Sequence, residues 1–368
     1  MKVGLDYRSA LVNREGIGRA VRELVRAVLE QRSPDLELAL YGTSLHAPTV
    51  PSSELGLEGS RVRLHRRRFP ARLAGPFLRL RGRGLDDLLG ADLIHHFQLS
   101  ALPTRKAVQV ATLWDLIFLD GGRDFLDADS ARNMERAARR LAEQADRLMV
   151  TSTYVAGEVR HKLGVGEERI HVVPLGIDHM LRIKPDLAPT PSAPFLLTVS
   201  RLDPRKNHAL SLEVFERLAE RDAHLRLVVA GPLGYRGPEI RARLEASRFA
   251  DRIEFLGPVT EGRLRSLLES CSVFLFPSLD EGFGLPPLEA MVLGAPTVAS
   301  NRGSLPETAG PGAAIVDPDD QDGWVEAVAA ALGDPGPWRE RAKRHAAHWT
   351  WSRAAQSLLE LWSAAAPR

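Results

Sequence analysis

The sequence has little cysteine, no long apolar run and almost no net charge, and each shortage excludes a class of protein. Cys271 is the single cysteine in 368 residues, which excludes an intrachain disulfide and a zinc or iron–sulfur site built from several cysteines. No apolar run approaches the roughly 18–20 residues that a membrane-spanning helix needs. Residues 1–6 lack the apolar stretch of a signal peptide, so we expect a cytoplasmic protein.

Charge and composition narrow the class further. The 49 basic and 47 acidic residues leave a formal net charge of +2, which argues against nucleic acid as a partner. Hydrophobic residues make up 44% of the chain and charged residues 26%, and these are the proportions of a globular protein. A chain of this length exceeds one ordinary core, so we expect about two domains.

Short apolar runs alternate with amphipathic stretches along most of the chain. The runs that predict strands are residues 3–5, 36–41, 93–95, 108–113, 148–151, 171–173, 195–199, 225–230, 253–256, 273–276 and 297–300. Between them, stretches such as residues 17–28 and 210–218 place their apolar side chains on one helical face. Apolar strands alternating with helices predict an α/β fold with mostly parallel sheets.

Residues 183–194 contain four prolines and little apolar periodicity, so they can continue neither a helix nor a central strand. We therefore expect an N-terminal lobe (1–182), this linker, and a C-terminal lobe (195–349), each with a doubly wound sheet. Ligands of such sheets bind beyond the carboxyl ends of the strands, so two facing lobes would form one cleft. Residues 351–362 predict one last amphipathic helix.

Residues 61–83 hold nine arginines and no acidic residue, with Leu73, Phe77, Leu78 and Leu80 interleaved. Such a segment can lie on an anionic membrane, with the arginines on phosphates and the apolar side chains dipping in. The other interpretation is a solvated arginine-rich face that packs its apolar side inward.

Residues 13–19 form a glycine loop that opens a helix after the first strand. The amides of Gly16 and Gly18 can approach an anion, because glycine lacks the Cβ that would block close contact. The loop does not complete the G-x-G-x-x-G pattern of nicotinamide-dinucleotide sites, since Val21 stands at the third glycine position. A plain tight turn is the other interpretation.

Two cations follow the buried strand at residues 195–199. Arg201 stands near the end of this strand, Asp203 begins a turn that can bring Lys206 to the same place, and Asn207 is a candidate helix cap. Arginine offers a forked donor and lysine a point charge, and the two together suit a diphosphate.

The strongest motif is residues 280–291, in which Glu281 and Glu289 bracket a glycine loop that enters a helix at a proline. The backbone amides that can face a ligand belong to Phe283, Gly284 and Leu285. Two carboxylates around a group of amides suit the hydroxyls and phosphates of a nucleotide sugar. The preference of acids for helix N-termini explains Glu289 alone, but leaves Glu281 and the glycines without a reason.

Residues 281–289 resemble the paired-glutamate signature of the retaining glycosyltransferases of family 4, which have the GT-B fold. The other segments that resemble family motifs, in the family's order, are residues 4–6 with 16–18, 112–117, 173–178, 201–207 and 304–307. The resemblance covers nearly the whole chain. It looks closest to the mannosyltransferase-like branch that builds O-antigen and other bacterial surface polysaccharides.

The resemblance implies that Arg201 and Lys206 neutralise the leaving diphosphate and that Glu281 holds the hydroxyls of the donor sugar. It also implies that Glu289 binds the ribose and that Gly16 and Gly18 meet the diphosphate from the opposite lobe. The amides of Phe283, Gly284 and Leu285 would lie near sugar and phosphate. The last helix, at about 350–368, would cross back to the first lobe.

The implied reaction is retaining transfer of a hexose, in our best interpretation mannose from GDP-mannose, to a saccharide or polyprenyl-linked acceptor at the inner membrane face. No metal or cofactor is expected. Residues 127–129 have the D-x-D look of metal-using transferases, but we expect them to open a helix. The alternatives are a UDP-sugar-dependent transferase of the same fold and a non-catalytic nucleotide-sugar-binding protein.

One position departs from the family, because its loop histidine is replaced by Trp114. Either this tryptophan stacks on a sugar face, or His95 or His96 supplies the polar contact, or activity is impaired. A histidine satisfied by its neighbours in the core is the other interpretation of His95 and His96. Asp115 is expected to orient the loop or contact the acceptor.

Overall fold

The computed structural model describes residues 1–13, 16–31, 33, 35–45, 50, 55, 57, 62–119 and 125–366. Three residues of the motifs above lie outside the described residues, namely Arg14, Glu15 and Arg61. The chain divides into two compact units. The first comprises Met1–Leu116, Arg132–Gly176 and Trp351–Arg368, and the second comprises Ile117–Ala131 and Ile177–Thr350.

The first unit is built on a seven-stranded parallel sheet. Its strands are β1 (Lys2–Asp6), β2 (Glu37–Thr43), β3 (Arg63–Arg67), β4 (Leu93–His96), β5 (Val108–Leu113), β6 (Arg147–Val150) and β7 (Ile170–Val172). They lie in the order β3-β2-β1-β4-β5-β6-β7. Its helices are α1 (Arg8–Val12), α2 (Ile17–Glu30), α3 (Ala71–Leu80), α4 (Leu85–Leu89), most of α5 (Ala128–Gln144), and α6 (Thr153–Leu163). The last helix of the chain, α14 (Trp351–Ala365), also belongs to this unit.

The second unit repeats this plan with six parallel strands. They are β8 (Phe195–Val199), β9 (Arg226–Ala230), β10 (Ile253–Gly257), β11 (Val273–Phe276), β12 (Thr297–Ser300) and β13 (Ala314–Val316), in the order β10-β9-β8-β11-β12-β13. The helices are α7 (His208–Ala219), α8 (Gly237–Glu245), α9 (Glu261–Ser270), α10 (Leu285–Val292), α11 (Leu305–Thr308), α12 (Gln321–Gly333) and α13 (Pro335–Ala346).

The predicted α/β class with parallel sheets is confirmed. All eleven predicted strands are present, with ends displaced by no more than one or two residues. The prediction missed β3 and β13. Strand β3 is an arginine-rich edge strand without apolar alternation, and charged residues are a common way to protect such an edge.

The core of the second unit forms where the predicted apolar face of α7 meets the sheet. Val214 and Phe215 are fully buried in one cluster with Leu227 and Val229 of β9, and Trp324 of α12 joins it. Burial of large side chains on both faces of the sheet explains why its strands are apolar throughout rather than alternating.

Residues 183–194, which the sequence predicts to be a linker, pack on α9 of the second unit. Ser266 Oγ donates to the carbonyl oxygen of Asp186 at 2.9 Å, and the Arg263 guanidinium donates to that of Ala188 at 2.9 Å. These bonds satisfy two carbonyl oxygens of a segment that lies in neither a helix nor a strand. The segment lies within the Ile177–Thr350 part of the second unit.

Each sheet has a switch point, where strands next to each other are followed by connections running in opposite directions. In the first unit it lies between β1 and β4, and in the second between β8 and β11. The crevice at the carboxyl ends of such strands is the usual ligand site of doubly wound folds. Arg201 and Lys206 follow β8 and Glu281 follows β11, so this site is where the two strongest motifs meet.

Helix α14 packs against α2 in the first unit. Its fully buried Trp362 donates from Nε1 to Nδ1 of His95 at 3.1 Å. The other ring nitrogen of His95, Nε2, lies 2.8 Å from Thr112 Oγ1. Because Nδ1 accepts, Nε2 carries the proton and donates to the threonine.

Replacing Trp362 with Phe removes the indole N–H and leaves Nδ1 of the buried His95 without a donor. An unsatisfied buried acceptor costs about 1–3 kcal/mol, so we expect the free energy of unfolding, measured by urea denaturation, to fall by about that amount. The control is the same change in a His95→Leu background, where it should cost less because no acceptor remains. Equal losses in both backgrounds would contradict this role of the hydrogen bond.

Candidate active site

The loop after β8 turns sharply and returns Lys206 toward the sheet. Pro204–Lys206 form one turn of 3-10 helix, closed by the Lys206 amide donating to the carbonyl oxygen of Asp203 at 3.0 Å. Asn207 then precedes α7 as its N-terminal cap residue, with a φ of 50°, a left-handed conformation that asparagine tolerates better than most residues. It occupies the predicted cap position, but its side chain makes no capping hydrogen bond.

Glu281 forms ion pairs with both cations of this turn, Arg205 and Lys206. Lys206 Nζ contacts Glu281 Oε1, and an Arg205 guanidinium nitrogen lies 3.2 Å from Oε2. Ser278 Oγ also donates to Oε1 at 2.6 Å. The Lys206 ammonium lies 5.2 Å above the centroid of the Phe276 ring, which excludes water from that side. The structure therefore brings Lys206 and Glu281 together, as their position at the switch point requires.

The charge of Glu281 is strongly stabilised. Burial favours the neutral acid, but the Arg205 and Lys206 cations and the Ser278 hydroxyl outweigh it and lower the pKa of Glu281 from 4.5 to about 2. Burial lowers the pKa of Lys206, and the contact with Glu281 opposes that shift. Glu281 is thus an ionised hydrogen-bond acceptor at any physiological pH.

Two members of this cluster, Arg205 and Ser278, were not predicted from the sequence. Arg205 could have been suspected, because it stands directly before Lys206 in the cationic turn. Ser278 follows β11 without any motif that marks it. Its role appears only in the structure, where its hydroxyl donates to Glu281.

Backbone contacts hold the glycine loop after β11 in place. The Ser304 amide donates to the carbonyl oxygen of Glu281 at 2.9 Å, and Thr308 Oγ1 donates to that of Phe283 at 2.7 Å. Gly284 has a φ of 84°, a backbone conformation in which any side chain would be strained, and a Cβ there would lie 2.6 Å from Leu305 Cδ2. The S-L-P-E motif at residues 304–307 is therefore the support of the loop.

The predicted amides lie at the N-terminus of α10. This helix begins at Leu285, and Pro286 occupies its first turn as predicted. The amides of Phe283, Gly284 and Leu285 donate no hydrogen bond within the part of the chain that the structure describes. A helix N-terminus with unpaired amides is suited to an anion.

Glu289 lies one turn into α10, and not on its first turn as predicted. The helix dipole acts mainly on the first turn, so it does not explain this acid. Glu289 is buried, and its Oε1 lies 3.3 Å from Nε2 of His179. His179 follows the predicted turn at residues 173–178 and was not singled out from the sequence.

Arg201 differs from Lys206 in its surroundings. It is exposed, and its guanidinium forms no ion pair with any described residue. A Cβ on Gly234 would lie 2.6 Å from Arg201 Cγ and Cδ, so this glycine makes room for the arginine stem. The stem is held while the cationic end remains accessible.

The glycine loop of the first unit opens α2 as predicted. Gly16 is the residue before this helix and has a φ of 52°. A Cβ on Gly18 would lie 2.0 Å from the carbonyl oxygen of Asn13. This close backbone approach is a structural reason for Gly18. The binding of a diphosphate by Gly16 and Gly18 stays a prediction.

The structure corrects the proposed roles of the two histidines. His95 is fully buried, and both of its ring nitrogens are engaged, by Thr112 and Trp362. His96 is also fully buried, with Nε2 3.3 Å from Thr104 Oγ1. Burial lowers the pKa of His95 well below its ordinary value and that of His96 to about 4. Neither ring has an exposed edge that could contact a ligand.

Trp114 and Asp115, directly after β5, are half-buried. The Trp114 indole donates to the carbonyl oxygen of Phe97 at 2.9 Å, and the two rings lie 6.4 Å apart. The hydrogen bond fixes the orientation of the indole and leaves part of the ring accessible. Of the residues considered for the family's histidine position, only Trp114 keeps an accessible surface.

Within the described ranges, no three histidine, cysteine, aspartate or glutamate side chains gather as metal ligands would. Asp127 accepts a hydrogen bond from the Ser130 amide at 2.9 Å at the start of α5, so residues 127–129 open a helix as predicted. None of the described helices is both long and apolar enough to span a bilayer.

The comparisons with known proteins agree with this geometry. A family model described as "Glycosyltransferase Family 4" matches residues 14–180, and one described as "Glycosyl transferases group 1" matches residues 181–349. The D-inositol 3-phosphate glycosyltransferase of Nocardia farcinica is 28% identical, over 92% of this chain and 82% of its own. The O-antigen chain mannosyltransferase B of Escherichia coli is 27% identical, over 89% of each chain.

Among solved structures, Anabaena Alr3699/HepE in complex with UDP and glucose superposes with a TM-score of 0.74. It covers 99% of this chain and 100% of its own at 17% sequence identity. A likeness at this identity shows the fold alone.

Replacing Glu281 with Gln breaks a buried ion pair, which costs about 3–5 kcal/mol when one partner is removed. Because the pKa of Glu281 is lowered from 4.5 to about 2, its contribution is complete above pH 4.5 and is lost as the pH falls toward 2. Urea denaturation at several pH values should therefore show a difference between wild type and variant that shrinks below pH 4.5. The control is Glu245→Gln, which breaks an exposed pair with Arg241 and should cost less than about 1 kcal/mol. A constant difference down to the acid limit of the fold would contradict the assignment.

Proposed function

The chain belongs to glycosyltransferase family 4 and has its GT-B fold, and we propose that it transfers mannose with retention from GDP-mannose. The proposed acceptor is a saccharide or polyprenyl-linked saccharide of a cell-surface polysaccharide. The Escherichia coli relative named as an O-antigen mannosyltransferase supports this choice of sugar and pathway class. One observation carries the proposal, namely the contact of Lys206 and Arg205 with Glu281 at the switch point of the second sheet.

The cations and amides at this edge match the charge that the reaction creates. As the bond between the sugar and the diphosphate breaks, negative charge grows on the phosphate oxygens. Arg201 offers an accessible guanidinium, Lys206 an ammonium, and the N-terminus of α10 three unpaired amides. This positive potential does not require a metal ion, so we propose a metal-independent reaction.

Glu281 and Glu289 would each bind the hydroxyls of a different part of the donor, Glu281 those of the sugar and Glu289 those of the ribose. Glu281 stays ionised, so it can accept hydrogen bonds from the sugar while Lys206 turns to the diphosphate. Glu289 would accept hydrogen bonds from the ribose, and Nε2 of His179 lies 3.3 Å from its Oε1. Both acids are buried, and hydrogen bonds there are stronger than in water.

Retention is what the family resemblance implies, and the motifs offer no well-placed carboxylate nucleophile for a two-step reaction, so we favour displacement on one face of the sugar. We propose that the acceptor hydroxyl oxygen bonds to the anomeric carbon on the face from which the diphosphate leaves. Its proton passes to the departing phosphate oxygen, so no enzyme base is needed. Trp114, with Asp115 beside it, would present its ring to the acceptor saccharide, because His95 and His96 are buried.

The sharpest activity test uses Arg201→Gln, because this exposed side chain has no ion pair among the described residues and its loss should leave stability unchanged. Removing a group that stabilises the developing charge costs about 10²–10³ in kcat, and we expect that loss from Arg201→Gln and Lys206→Met. We also expect Glu281→Gln to lower kcat, because it weakens the acceptor of the sugar hydroxyls and removes the charge that pairs with Lys206. Transfer is measured with purified enzyme, GDP-mannose and a panel of saccharide acceptors. Arg217→Gln, which breaks an exposed pair with Asp322, serves as the control. Full activity in Arg201→Gln and Glu281→Gln would reject the proposal.

A thermal-shift panel of nucleotide sugars tests the donor separately. A ligand that binds only the folded state at 100 times its Kd adds about 2.7 kcal/mol of stability, so we expect the largest rise in Tm with GDP-mannose. The Lys206→Met variant should lose most of this rise. A selective rise with a UDP-sugar would overturn the choice of donor and leave the transferase assignment intact.

A further inference from the structure

The arginine-rich segment forms edge strand β3 and helix α3, and α3 has apolar side chains on two sides. Ala74 and Leu78 are buried in a cluster that holds α3 against the first sheet. By contrast, Leu73 is 48% exposed, Phe77 is 45% exposed and Leu80 is 85% exposed. The interpretation that the segment packs its apolar side inward explains Leu78. It does not explain the exposed side chains of Leu73, Phe77 and Leu80.

These three exposed side chains form one stripe. Positions 73, 77 and 80 are spaced four and three residues apart, so they lie on the same face of α3. Arg72 and Arg79 flank one side of this stripe. Arg81 flanks the other side, with its guanidinium 5.2 Å above the centroid of the Phe77 ring. An apolar stripe bordered by arginines is typical of a helix that lies in the surface of a bilayer.

The charge around the stripe has one sign and is not neutralised. Of the segment's arginines, the described ones are Arg63, Arg66, Arg67, Arg68, Arg72, Arg79, Arg81 and Arg83. None of them forms an ion pair with a described carboxylate. Elsewhere in the chain some helical arginines pair with acids one turn away, as in Arg241 with Glu245 and Arg139 with Glu135. The positive charge of this segment therefore remains available to an external anion.

We propose that residues 63–83 dock on an anionic lipid bilayer. Leu73, Phe77 and Leu80 enter the boundary between head groups and acyl chains, and the flanking arginines bind lipid phosphates. Charge complementarity favours lipid, because the surface of an anionic bilayer offers phosphates directly above an apolar layer. This is the pattern that α3 presents. The proposal goes beyond the transfer reaction and does not depend on which sugar is moved.

The test is flotation of the full chain with vesicles, without donor or acceptor, so that its outcome is separate from that of the activity tests. One vesicle preparation is phosphatidylcholine alone, and in the other a third of the lipid is phosphatidylglycerol. We expect flotation with the anionic vesicles only, weakened by high salt. Equal flotation with both preparations, or with neither, would overturn the proposal.

Variants separate the two parts of the contact. Leu80→Ser should weaken partitioning about tenfold at both low and high salt, because it removes a buried leucine. Arg72→Gln and Arg79→Gln should each weaken it about fivefold at low salt, and less at high salt. The matched controls are Leu187→Ser, which alters a 99% exposed leucine outside the segment, and Arg243→Gln on α8.

Two outcomes of the variant series count against the proposal. Equal losses from Leu187→Ser and Leu80→Ser would mean that partitioning does not depend on the stripe. Sedimentation of the wild type as a dimer, abolished by Leu80→Ser without any lipid effect, would assign the stripe to a second copy of the chain. Circular dichroism of each variant confirms that α3 and the rest of the fold are retained.

Discussion

The buried contact between Glu281 and the cations Arg205 and Lys206 is the interaction on which the site depends. Removing two charges from water is costly, and only close pairing with additional hydrogen bonds offsets that cost. Ser278 supplies one such bond, and the Phe276 ring shields the ammonium. The result is a carboxylate that stays ionised beside two cations, with its pKa lowered to about 2.

This contact exists because of the order of strands in the second sheet. Lys206 and Glu281 are 75 residues apart in the chain, and they meet because β8 and β11 are neighbours at the switch point. The surrounding motifs then act as supports. Gly303, with a φ of 62°, lets its loop approach Glu281, since a Cβ there would lie 2.5 Å from the Glu281 amide. The short helix α11 holds the glycine loop after β11 through the hydrogen bond from Thr308 to the carbonyl oxygen of Phe283.

The first unit uses the same plan for a different purpose. At its switch point, Asp6 and Arg8 form a buried pair, and Arg8 also binds the carbonyl oxygen of Ser100 at 2.5 Å. Behind it, His95 joins the last helix to the sheet through Trp362. The polar groups of this edge thus stabilise the unit, and Trp114 and Asp115 remain the accessible residues beside them.

The sequence by itself determined eleven of the thirteen described strands, the glycine loops and the positions of the motifs at strand ends. The strands and loops depend on local properties, namely apolar runs and residues without a Cβ. The expected ligand site then follows from the rule that ligands bind at the carboxyl ends of parallel strands. Strand β3 was missed because its edge position, not its apolarity, makes it a strand. Only the tertiary structure decided which residues are partners and which are buried. It placed the Ser278 hydroxyl at Glu281 and His179 beside Glu289. It also buried His95 and left Leu73, Phe77 and Leu80 exposed. Partnership and burial depend on which residues, distant in sequence, pack together. A local sequence pattern does not identify the distant residue that completes such a contact.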